Sequence, residues 1–206
     1  MKKYNLIIAG VGGQGVVMAG NIIGEAAMMT GYDVKKTDTL GMAQRGGSVV
    51  SHLRIADKVF SPLINQGEVD ILLAFEKLEA ARWSHFLKPS GIVIVNNQAL
   101  APLSVNLGSE QYPSDNEITR IIGHYTEILY ILDGTNLAMQ LGEVKTLNVL
   151  MLGCLSHFIP FTSEIWRKSI VKNLPTKVID LNLNAFKIGI KEIKDMIDRK
   201  TRNKND

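Results

Sequence analysis

The stretch Tyr4-Asn5-Leu6-Ile7-Ile8-Ala9-Gly10-Val11-Gly12-Gly13-Gln14-Gly15-Val16 decides the fold. Tyr4 to Ala9 is a short apolar run halted by glycine, the pattern of a buried parallel strand whose two faces are both covered by helices. From Gln14 to Thr30 the apolar residues recur at helical spacing, Val17, Ile22, Ala26 and Met29 among them, until Gly31 stops the run. Strand, glycine turn and helix in that order open a βαβ unit. The turn itself, Gly10 to Gly15, reads G-x-G-x-x-G. In such a turn Gly10 permits the tight bend, Gly12 lets a ligand approach the main chain, Gly15 lets the helix pack close to the sheet, and the helix amides attract an anion. The same pattern also occurs as a plain structural turn, so both readings stay open.

Working outward, Tyr32 to Thr37 resembles a second strand, followed by the glycine-rich segment Gly41-Met42-Ala43-Gln44-Arg45-Gly46-Gly47. Ser48 to Ile55 is rich in β-branched residues, and Ala56-Asp57-Lys58 predicts a hairpin turn into Val59-Phe60, an antiparallel element inside the strand–helix alternation. Val69 to Phe75, Leu78 to Leu87 and Gly91 to Val95 then read as strand, helix and strand. Ser114 followed by Glu117 makes a capping box for a helix to about Gly123, and Thr126 to Leu132 reads as a further strand. An apolar helix from Leu147 is ended by Pro160, another starts near Ser163 and Glu164, and Phe186, Ile190, Ile193 and Ile197 mark the inward stripe of the last. The expectation is a three-layer α/β/α, Rossmann-like domain over residues 1–197, with a mostly parallel sheet and an antiparallel hairpin insertion. Residues 198–206 read as a disordered charged tail.

Composition narrows the function. Hydrophobic residues make up 46% and charged residues 21% of 206, as in a globular protein. The net charge of +3 is carried by Arg199, Lys200, Arg202 and Lys204 less Asp206, so the folded part has no basic excess with which to hold nucleic acid. Cys154 is the single cysteine, which excludes an intrachain disulfide and any four-thiolate cluster built by this chain alone, and fits a reducing cytoplasm. The run from Leu147 to Ile159 is shorter than the roughly 20 helical residues a bilayer requires, and no secretory signal precedes the first strand, so no membrane partner is expected.

A dinucleotide enzyme needs an acidic residue ending the second strand to hold a ribose, and Asp33 and Asp38 are the candidates. His52, His85, His124 and His157 are scattered, and none is read as an acid or base; no catalytic residue is assigned. Arg45, next to Gly46 and Gly47, can project a planar guanidinium from a flexible backbone toward a carboxylate or phosphate, or shape its own loop through an ion pair. Gln14 either meets a ligand or caps its own helix. The candidate binding set is therefore Gly10, Gly12, Gly13, Gln14, Gly15, Arg45, Gly46 and Gly47, expected on one face at the carboxyl ends of the strands.

The combination Gly10 to Val16, Gly41 to Val49 and Ser61-Pro62-Leu63-Ile64 resembles the small (beta) subunits of indolepyruvate ferredoxin oxidoreductases, related to the gamma subunits and domains of the 2-oxoacid:ferredoxin oxidoreductases. Leu73-Ala74-Phe75-Glu76 with Glu79-Ala80, Asn148 to Ser156, and Asn184 to Gly189 extend the likeness over nearly the whole chain. The resemblance implies oxidative decarboxylation of a 2-oxoacid to an acyl-coenzyme A with reduction of ferredoxin. It also implies a large (alpha) partner subunit carrying thiamine diphosphate and iron–sulfur clusters, with no cofactor firmly bound here beyond a possible contact to coenzyme A. The Ala43-Gln44-Arg45-Gly46-Gly47 form points to arylpyruvates. Two other readings keep the fold but not the activity: a stand-alone NAD- or FAD-binding oxidoreductase, and a ligand-free protein-interaction module.

Overall fold

The first strand, β1 (Tyr4–Val11), is buried along its whole length because it runs through the middle of the sheet. Its side chains alternate between layers: Leu6 and Ile8 enter one core, Ile7 and Ala9 the other. The computed structural model describes residues 2–41 and 46–202. Among them, β1 leads through α1 (Val16–Met29) to β2 (Asp33–Leu40), and β3 (Ser48–Ala56) returns. There follow β4 (Val69–Ala74), α2 (Lys77–Trp83), β5 (Leu87–Asn96), α3 (Leu103–Asn106), α4 (Asp115–Gly123) and β6 (Ile128–Leu132). The chain ends in four helices: α5 (Gly134–Gln140), α6 (Leu147–Leu155), α7 (Ser163–Asn173) and α8 (Ile179–Arg202).

The sheet order is β2-β3-β1-β4-β5-β6, with β1, β4, β5 and β6 parallel and β3 antiparallel to both β1 and β2. One core joins α1, α6, α7 and α8 to the sheet through Ile22, Leu150, Trp166 and Phe186. The other sets α2 and α4 on the opposite face through Ala80, Ile118 and Ile122. This is the expected three-layer α/β/α arrangement. After β1 the chain moves toward one edge of the sheet and after β4 toward the other, which opens a crevice at the carboxyl ends of these two strands.

Several details differ from the sequence reading. The antiparallel element is not a hairpin into Val59-Phe60: β3 pairs with β2 and β1, while Val59 N–H donates to the Asp33 carboxylate at 2.8 Å. Alternation of β-branched residues marks β3 as a strand but does not name its partner. The apolar helix α6 stops at Leu155, before Pro160, in turns at residues 156–158. The charged tail read as disordered is helical through Arg202, because three basic residues in the last turn suit the negative end of the α8 dipole. Lys200 also lies over the Tyr130 ring, 4.7 Å from its centroid, and donates to the Leu129 carbonyl. No helix among the described residues is long and apolar enough to cross a membrane.

Candidate functional site

The first glycine loop leaves β1 at the crevice. A Cβ on Gly10 would stand 2.9 Å from Gln14 Oε1 and 3.2 Å from the Phe75 Cβ, so the turn closes against the end of β4 only with glycine. Gly15 adopts φ +83°, and its missing side chain makes room for Asn148 at the start of α6, whose Cγ would be 3.1 Å from a Cβ there. The close approach that Gly15 permits is therefore to a second helix rather than to the sheet.

Gln14 shapes this loop from inside. Its Oε1 accepts from Val11 N–H at 2.7 Å, and its Nε2 donates to the Phe75 carbonyl at 3.0 Å and to Gln98 Oε1 at 3.1 Å. Both amide hydrogens are thus engaged by the protein. Asn96, fully buried at the end of β5, donates to the Phe75 carbonyl at 3.0 Å and to Thr135 Oγ1 at 2.9 Å, and accepts from Thr135 N–H at 3.1 Å. One polar network thereby fastens together the ends of β1, β4 and β5 and the start of α5.

The second glycine segment meets the first. Gly12 N–H donates to the Gly47 carbonyl at 2.8 Å, and Gly41 N–H to the Ser48 carbonyl at 2.8 Å. Gly46 has φ +77°. Arg45 lies outside the described residues. Ser48 donates to Glu79 on α2, whose other carboxylate oxygen accepts from Arg82 at 2.9 Å. Burial pushes the Glu79 carboxyl up, against the opposing pull of the Ser48 hydrogen bond and the Arg82 guanidinium. Glu76, 1% exposed, accepts from Glu79 N–H, Leu100 N–H and the Tyr112 hydroxyl, and so holds the chain after β5 against the start of α2.

Neither acidic candidate for a ribose is placed for that task. Asp33 is at the start of β2, and Asp38 is engaged by Ser51 and Lys36. Moreover β3 stands between β1 and β2, moving β2 one strand spacing, about 4.8 Å, farther from the loop than in a dinucleotide fold where the two strands adjoin. His52 is buried beside Trp83 and Phe86 with Nδ1 accepting from Ile64 N–H, and burial lowers its pKa; this is a packed histidine. Cys154 is fully buried, its Sγ directed at the Gly189 carbonyl at 3.3 Å and its thiol pushed up by burial, which does not suit a cluster ligand. Among the described residues no group of three or more His, Cys, Asp or Glu side chains is placed to hold a metal.

Sequence reasoning passed over Asn96, Gln98, Thr135, Glu76 and Asn148 as site residues. Asn96 ends β5 and Gln98 comes two residues later, while Glu76, Thr135 and Asn148 stand at helix starts, a positional signal visible once element ends are known.

Comparisons with known proteins agree with this architecture. Residues 5–192 match the family described as pyruvate ferredoxin/flavodoxin oxidoreductase. The chain is 38% identical over 200 residues to the indolepyruvate oxidoreductase subunit IorB of Pyrococcus horikoshii, covering 96% of this chain and 99% of that one. The gamma subunit of a keto/oxoacid ferredoxin oxidoreductase from Geobacter sulfurreducens superposes with a TM-score of 0.68 at 24% identity, over 92% of this chain and 98% of that one. A 2-oxoglutarate:ferredoxin oxidoreductase from Magnetococcus marinus, with 2-oxoglutarate, coenzyme A and succinyl-CoA bound, gives 0.73 at 20% identity, over 94% of this chain but 31% of that one. The shared fold, the end-to-end identity and the family match together make this chain an oxidoreductase subunit of the pyruvate ferredoxin/flavodoxin oxidoreductase family.

Proposed function

We propose that the chain is the small, cluster-free subunit of a 2-oxoacid:ferredoxin oxidoreductase acting on indolepyruvate or related arylpyruvates. The observation that carries this reading is 38% identity along practically the full length of a relative named as an indolepyruvate oxidoreductase subunit. In the complex, the 2-oxoacid is decarboxylated, its acyl group passes to coenzyme A and two electrons pass to ferredoxin. Thiamine diphosphate and the iron–sulfur clusters belong to the large partner subunit; the lone, buried Cys154 of this chain agrees with that division. Residues 1–197 act as one gamma-type domain. Its contribution is the carboxyl-end face, where the glycine segments Gly10–Gly15 and Gly46-Gly47, with Arg45, meet an anionic ligand such as coenzyme A or the large subunit. Backbone amides at a helix start and a basic side chain suit a phosphate or carboxylate.

The test is co-expression with the large subunit and an assay of viologen reduction with several 2-oxoacids and coenzyme A. Activity appears only with the partner present and is highest with arylpyruvates. Sustained turnover by a metal-free preparation of this chain alone, or no turnover by the complex with any 2-oxoacid, refutes the proposal. Arg45→Ala leaves the melting of the isolated chain within about 0.5 kcal/mol, while weakening assembly or raising the coenzyme A requirement of the complex.

A further inference from the structure

Glu79 is a buried carboxylate that takes no part in capping its own helix. The cap of α2 is Glu76, whose carboxylate accepts from the Glu79 N–H. The Glu79 side chain, 4% exposed, reaches across to the sheet instead, where Oε2 accepts from the Ser48 hydroxyl at 2.5 Å while Oε1 accepts from Arg82 at 2.9 Å. Its place in the first turn of α2 suits a negative charge, yet burial still pushes the carboxyl up. Arg82 is itself half exposed, so its guanidinium offsets only part of the cost of taking the charge out of water. An apolar side chain would fill the same place without that cost.

Ser48 is where the two glycine segments join. It makes the last β1–β3 pair, with Val11, and the residue before it, Gly47, accepts from the Gly12 N–H at 2.8 Å. The Ser48 carbonyl accepts from the Gly41 N–H at 2.8 Å, and a Cβ on Gly41 would stand 2.9 Å from that carbonyl oxygen, so both ends of the second segment close on Ser48. Glycines bring no side chain to pack, and a fixed position for Gly46 and Gly47 has to come from their neighbours. The bond to Glu79 ties this corner of the sheet to the α2 layer. Helix α2 is firmly placed in turn: Ala80 and Ala81 are buried in the core beneath it, and Glu76 accepts from the Leu100 N–H and the Tyr112 hydroxyl.

We infer that Glu79 is a positioning residue: through the Ser48 hydroxyl it fixes Gly47, and through the Gly47 carbonyl it fixes the Gly12 amide, so that the two glycine segments present one surface. The side chain does this from behind, through Ser48. A directional acceptor selects one arrangement of the glycine segments where a hydrophobic contact would not, which accounts for a carboxylate at a place where an apolar residue costs less. The inference deepens the functional reading above and rests on the carboxyl-end face being the working surface of the subunit.

The test reads the Gly12 amide by hydrogen exchange, followed by NMR in the full chain, and then turnover in the complex co-expressed with the large subunit. Ser48→Ala, which removes one hydroxyl, and Glu79→Ala each speed exchange of the Gly12 amide by about tenfold or more, the order set by one lost hydrogen bond to a charged group. Exchange at Leu72 and Val93, paired in mid-sheet, keeps its unsubstituted rate in Ser48→Ala. The double variant is no faster than either single one, because both changes remove the same link. Glu79→Gln, whose amide still bonds the Ser48 hydroxyl, restores the slow rate. In the complex, turnover at limiting 2-oxoacid and coenzyme A falls by about tenfold in both alanine variants and recovers in Glu79→Gln. Gly12 exchange unchanged in both alanine variants, acceleration spread equally to Leu72 and Val93, or a Glu79→Gln protein as fast as Glu79→Ala overturns the link. Fast Gly12 exchange with undiminished turnover overturns its role in the reaction. A complex that turns over no 2-oxoacid refutes the functional reading alone, and the Gly12 exchange rate still decides whether Glu79 holds the glycine segments.

Discussion

Helices α6 and α8 cross with their backbones in contact, and two glycines, Gly153 on α6 and Gly189 on α8, make that possible. A Cβ on Gly189 would lie 2.9 Å from the Leu150 carbonyl carbon, 3.1 Å from Cys154 N, and closer still to the Leu150 carbonyl oxygen. Comfortable separation between such atoms is about 3.5–4.0 Å, so Gly189→Ala requires the helices to part by roughly 1 Å, a gap that forfeits a quarter to a half of each affected contact. The obstacle is main chain, which has no rotamer to change, so overpacking costs about 3 kcal/mol, the upper end of its usual range. Alanine's helix propensity returns about 1 kcal/mol. The net loss of about 2 kcal/mol lowers the melting temperature by about 4–8 °C for a domain of this size. Gly24→Ala in α1 is the matched control: its Cβ would meet Val34 Cγ1 at 3.6 Å and Leu53 Cδ1 at 3.8 Å, ordinary contacts, so the propensity gain survives. That variant melts about 2–4 °C higher. Thermal unfolding followed by circular dichroism measures both. A Gly189→Ala protein that melts at or above the unsubstituted temperature, or equal shifts of the same sign in both variants, refutes the assigned helix contact.

Further outcomes follow from the polar network and the buried carboxyl. Asn96→Ala leaves buried Thr135 N–H without its acceptor and costs about 1–3 kcal/mol in urea unfolding; a midpoint unchanged from that of the unsubstituted chain shows that the network is dispensable. Burial raises the Glu79 pKa, so the folded chain retains this proton at a pH where the unfolded chain has lost it. Unfolding then releases a proton, and the Glu79 contribution to stability falls as pH rises from the ordinary carboxylate range through the raised folded value. Glu79→Gln accordingly gains stability relative to the unsubstituted chain between pH 4 and neutrality, measured by urea unfolding across that range; a constant difference contradicts the raised pKa.

Much of the architecture was legible in the sequence because it depends on local periodicity. The run from Tyr4 to Ala9, the glycine turn and the helical spacing after Gln14 are short-range signals, and they specify β1, the loop and α1 within a residue or two. Ser114 and Glu117 likewise predict their own capping bonds, which are internal to one turn. The partnering of β3 was not legible, since β-branched alternation creates a strand edge without saying which strand will meet it; long-range pairing placed β3 between β1 and β2.

At the site, sequence alone determined that residues 10–15 form a glycine turn between a strand and a helix, and that no second cysteine exists to bind a cluster. The tertiary structure decided what these facts mean. It turned Gln14 inward, spending both amide hydrogens on Phe75 and Gln98, and it brought Gly47 from a separate segment to the Gly12 amide. It also carried Asn148, more than a hundred residues away, into the space that Gly15 leaves open. Local composition encodes the shape of a turn because backbone sterics act over a few residues. Which polar groups finish at that turn depends on where the sheet and the helix crossings deliver distant strand ends and helix starts, and only packing of the whole chain sets that.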